Sequence, residues 1–85
     1  MIVLGERGIK FSHQSDFPKN AVCKCGGNAR IAFVYCEGFT CDAEVIHVCN
    51  LHKNEMDNKW PHDCVSVAVY FCSKCLKPVT YFNQG

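Results

Sequence analysis

The sequence predicts a small α+β domain, an antiparallel β-sheet of hairpins with one short helix, cross-linked by more than its hydrophobic core. Three observations lead there. The chain has 85 residues, a length at which folding buries only about 60 to 65 per cent of the unfolded chain's surface. It carries eight cysteines, enough to supply the extra cross-links that so small a core calls for. Its β-branched and aromatic residues fall in short runs separated by turn residues, as strands do.

Taken in order, residues 2–4 and 9–11 are short apolar runs on either side of GERG, and predict a hairpin whose glycines supply positive φ. Residues 12–22 read as an ordered loop leading to CKCGG. NARIAFVYC predicts a strand over about 29–36, EGFTCD its turn, and AEVIHV, 43–48, the returning strand. KNEMDNKW lacks β-branched residues and predicts two helical turns that Pro61 stops. CVSVAVYFC, 64–72, is the clearest strand in the chain, and KPVTYF, 77–82, predicts another. No linker or low-complexity tract divides the chain, so residues 1–85 form one domain: an N-terminal hairpin and loop over 1–22, and a cysteine-bearing sheet over 23–85.

The redox compartment decides what the cysteines do. The N-terminal segment MIVLGERGIKF lacks the basic start and unbroken apolar run of a signal peptide, and no stretch reaches the length of a membrane span. A cytoplasmic, soluble protein with reduced thiols is therefore expected, which favours metal over disulfide.

Zinc takes four ligands in a tetrahedron, and two close pairs from separate segments supply them economically. Cys23 and Cys25, followed by two glycines, form one pair; Cys49 and His52, at the expected start of the helix, form another; Cys72 and Cys75 form a third. Two arrangements are open. In the preferred one, Cys23 and Cys25 join Cys49 and His52, while Cys36 and Cys41 join Cys72 and Cys75 at the opposite end of the sheet, giving two zinc ions. In the other, Cys23 and Cys25 join Cys72 and Cys75 as a ribbon, and Cys49, His52, His62 and Cys64 make the second site. Taken singly, Cys36, Cys41 and Cys64 fit plain core packing equally well. His47 is expected at the surface or in a hydrogen bond, and His13 is expected to be unengaged.

The segment from Cys23 to about residue 60 resembles a treble-clef or zinc-ribbon-like zinc domain, in which a Cys-rich knuckle followed by glycine leads into a β-hairpin and the last two ligands open a helix. Its knuckle is one residue shorter than C-x-x-C. The resemblance implies a structural zinc in a module that binds nucleic acid or protein.

Enzyme signatures are missing. His52 is followed by Lys53 and Asn54, and Phe71 precedes Cys72, so the zinc-deaminase pattern fails; H-E-x-x-H, G-x-S-x-G and the P-loop are absent. Cys72-Ser73-Lys74-Cys75 could cycle as a dithiol, yet Leu76, Lys77 and Pro78 make a poor helix start to activate it. Nine Lys or Arg against eight Asp or Glu give a net charge of +1, which shows no dominant polyanion footprint. A non-enzymatic, zinc-stabilised protein-interaction module, such as a small adaptor or inhibitor of a larger complex, is the expected function, with a nucleic-acid-binding zinc domain as the alternative and a thiol redox protein as the third.

Overall fold

A computed structural model of the chain describes residues 1–38, 48 and 64–84. These residues build a single antiparallel sheet of five strands: β1 (Ile2–Leu4), β2 (Asn20–Val22), β3 (Asn28–Cys36), β4 (Val65–Cys72) and β5 (Pro78–Gln84). β3 and β4 are central, and β5 flanks β4. β1 and β2 share the other edge of β3, β2 pairing with residues 28–30 and β1 with residues 33–35.

Side-chain alternation explains the core. On β3 the buried residues are Ala29, Ile31, Val34 and Cys36, and the three-residue step from Ile31 to Val34 marks a β-bulge that opposes Ile31 and Phe33 to consecutive residues of β4. Their partners Cys72, Tyr70, Ala68 and Ser66 are also fully buried. Phe17 and Ala21 close the cluster, with Val3, Ile9, Phe11 and Val79 packed around it. Among the described residues Tyr70 is the largest fully buried side chain, and its hydroxyl donates to the Pro18 carbonyl. Most of the buried residues described around it are small.

Several sequence expectations change here. GERG is a single 3-10 turn, and no hairpin with 9–11 forms. A Cβ on Gly8 would lie 2.5 Å from Val34 Cγ2, so the turn lies flat on β3. From there the chain drops onto the core face, where Phe11 N–H donates to Gly8 and Phe17 N–H to Ile9. Residues 20–22, expected as loop, form β2. Strand 29–36 pairs with β4 along one edge and with β1 and β2 along the other. Segment 43–48, apart from Val48, and the expected helix at 53–60 lie outside the described residues.

The direction of β4 matters most for function. It starts opposite Cys36, with Cys36 facing Ser66, and ends opposite the start of β3, with Cys72 facing Ala29.

Candidate metal centre

Two tight turns meet at the end of the sheet where β3 begins and β4 ends. In the first, Cys23 N–H donates to the Gly27 carbonyl at 3.0 Å and Gly26 N–H to the Cys23 carbonyl at 2.9 Å. In the second, Cys72 N–H donates to Lys77 at 3.1 Å and Leu76 N–H to Cys72 at 3.0 Å. Each turn places the residue after its second cysteine in the left-handed region, Gly26 at φ 87° and Leu76 at φ 62°. Each also aims a backbone amide at sulfur: Gly27 N–H at Cys25 Sγ and Lys74 N–H at Cys72 Sγ, both at 3.4 Å. Ser73 ties the turns together, its N–H and Oγ both donating to the Asn28 carbonyl at 2.9 Å.

The four sulfurs converge. Cys23 Sγ lies 3.6 Å from Cys75 Sγ and Cys25 Sγ lies 3.5 Å from Cys72 Sγ, and all four lie within 4.8 Å of one another. A zinc tetrahedron with Zn–S near 2.3 Å has sulfur-to-sulfur edges of about 3.8 Å, so the cluster fits such an ion with little movement. Gly27 permits the approach, since a Cβ there would stand 2.7 Å from Cys72 Sγ and 3.3 Å from Cys25 Sγ. Cys23 and Cys72 are buried, while Cys25 and Cys75 reach the surface.

Electrostatics points the same way. The Cys72 thiol is drawn down to about 6 by the backbone amides of Cys75 and Lys74, with help from the neighbouring thiols Cys25 and Cys75. The Gly27 amide pulls on Cys25 as well, but the sulfurs of Cys72, Cys75 and Cys23 outweigh it and push Cys25 up to about 12. One thiolate forms readily and raises the cost of the next, which is the behaviour of a site built for a cation.

No protein-family model, curated protein or solved structure matches this chain. The site therefore rests on its own geometry: four cysteines within metal-binding distance in a small antiparallel sheet.

The structure thus brings together Cys23, Cys25, Cys72 and Cys75, as in the ribbon arrangement, and places Cys36 away from Cys72 and Cys75, at the other end of the strand pair. Cys36 lies seven residues along β3 from Ala29, roughly 23 Å away at strand spacing. There it is fully buried, with its thiol 3.7 Å from the Met1 carbonyl and its pKa raised by desolvation, and it serves as core. Among the described residues, Cys72 and Cys75 complete the set around Cys23 and Cys25. Cys41, Cys49, His52 and His62 lie outside the described residues. Cys64 sits at the far end beside Gly38, and His13 approaches the same glycine, so neither is near the cluster. No helix among the described residues is long and apolar enough to cross a membrane.

Sequence reasoning placed Gly26 and Gly27 in the knuckle but missed Leu76 as part of the site. The GG after Cys25 was visible, but that the second glycine's bare Cα faces the partner sulfurs depends on which turn lies opposite.

Proposed function

We propose that this chain is a zinc-stabilised binding module with no catalytic role of its own. The convergence of four thiols is the observation that carries the reading. Four thiolates fill a tetrahedral ion and leave no position for water or substrate, as in structural sites and unlike catalytic ones. An all-sulfur donor set suits zinc among the common divalent ions. A structural zinc contributes on the order of 10 kcal/mol of apparent folding free energy, comparable to the whole net stability of a small domain. Reduced thiols fit a cytoplasmic location.

The partner is a macromolecule met on the sheet surface. The sequence placed protein first and nucleic acid second; the observation that favours the second is the cleft lined by Arg7, Lys19 and Arg30 beside the exposed ring of Phe71.

Native mass spectrometry tests the module: the purified chain should carry bound zinc, and chelation should abolish its folded circular dichroism. A metal-free chain that stays folded would contradict the reading.

A further inference from the structure

Opposite the core, the sheet presents a second face. Cross-strand partners share a face, so Arg30 lies beside Phe71, Phe33 beside Val69, and Phe82 beside Val67. Phe71 is 45% and Phe82 is 53% exposed, and Phe71 meets Phe33 edge to face with ring centroids 6.5 Å apart. The face thus offers two exposed rings, Phe71 and Phe82, with Phe33 half-buried against Phe71.

Cations gather at one end of it. Where β1 and β2 leave a gap along β3, at the bulge, an open cleft of about 580 Å³ is lined by Arg7, Lys19, Arg30, Leu4, Glu6 and Phe71. Three cations against one carboxylate give it a net positive charge, and Glu6 is engaged with Lys19. Both arginines are exposed. Exposed rings next to guanidinium groups match a chain of alternating phosphates and unstacked bases: the rings stack on bases and the arginines meet phosphates. A duplex offers no free base faces to these rings, and an acidic protein segment would meet the cations without planar groups to stack on Phe71.

We propose that the face formed by Arg7, Arg30 and Phe71 binds single-stranded nucleic acid, with Phe71 stacking on a base and the arginines contacting the backbone. This rests on the binding-module reading and adds the ligand class and its site.

Fluorescence anisotropy of the zinc-loaded chain with short labelled poly-dT, poly-U and a duplex tests it, with zinc content measured on every sample. Single strands should bind better than duplex, and affinity should fall as salt rises. The poly-dT and poly-U arms show whether the strand is DNA or RNA. Phe71→Ala should weaken binding roughly tenfold with zinc retained. Arg30→Ala should reduce the logarithmic salt slope by about 0.7, and Lys10→Ala, outside the cleft, should leave binding nearly unchanged. Absence of binding at low salt, equal binding of duplex, or full affinity in both Phe71→Ala and Arg30→Ala would overturn the proposal. So would a homodimer that Phe71→Ala dissociates, which would assign the face to a second copy. Full binding by a zinc-free sample that stays folded would instead strike at the zinc-stabilised module beneath it.

Discussion

The Sγ atoms of Cys25 and Cys72 lie 3.5 Å apart although 47 residues separate them in the chain. The register that pairs Ala29 with Cys72 produces this approach, so the metal site and the central strand pair stand or fall together. Cys72→Ser should remove one zinc per chain and most of the stability the ion contributes, on the order of 10 kcal/mol. Cys36→Ala, at the other end of the same strand pair, should cost only about 1 to 2 kcal/mol and leave the ion in place. Metal-to-protein ratios with urea titrations check both.

Gly27 should be as intolerant as a ligand. Its missing Cβ is the space through which Cys25 and Cys72 approach, so Gly27→Ala should weaken zinc binding while every thiol is still present. Competition with a chromogenic chelator reads the difference.

Leu76 occupies the left-handed region at φ 62° and is 77% exposed. Its side chain gains little from burial, while the conformation costs about 1 to 2 kcal/mol. Leu76→Gly should therefore stabilise the zinc-bound protein by about 1 kcal/mol, whereas Gly26→Ala, at φ 87°, should destabilise it by a similar amount. Thermal unfolding of the two variants gives opposite shifts if the turns are equivalent.

Acid should strip the ion. The Cys72 thiol sits near 6, below its ordinary value of 9.0. A depressed folded-state value means that the thiolate's contribution is fully present above the unfolded value and is lost as pH falls through the folded one. Zinc affinity should thus be greatest above about pH 9 and weaken progressively as pH falls towards 6, as measured by metal release across a pH series.

Glu37 holds the far end of the sheet. Its buried carboxylate accepts from Tyr35 Oη at 3.1 Å, from Val48 N–H at 2.7 Å and from Val65 N–H at 3.2 Å. Glu37→Ala would take the acceptor away from two backbone amides, and should cost about 3 kcal/mol without changing zinc content.

Local chemistry was legible in the sequence. The β-branched runs at 29–36 and 64–72 gave β3 and β4 within a residue, and close cysteine spacing singled out both turns. What could not be read was long-range. Whether Cys72 meets Cys36 or Cys25 depends on the direction of β4, which is set by the path between residues 38 and 64, and no periodicity within a strand encodes it. β2 was missed because NAV is too short to show alternation and becomes a strand only by pairing with β3. GERG carries the glycines of a hairpin, but the close approach of Gly8 to Val34, a tertiary contact, turns it into a 3-10 turn.

Differential alkylation read by mass spectrometry, with the ion bound and after chelation, tests the four-sulfur cage most directly. Cys25 and Cys75 reach the surface, so burial does not shield them, the intact mass separates coordination from a disulfide, and chelation, which unfolds the chain, releases a thiol held protonated only by its neighbours. The account predicts that Cys23, Cys25, Cys72 and Cys75 resist labelling together while zinc is bound and become reactive together when it is removed. Immediate labelling of Cys25 and Cys75 in the zinc-loaded chain, or a mass showing these sulfurs joined in disulfides with no ion present, would contradict it.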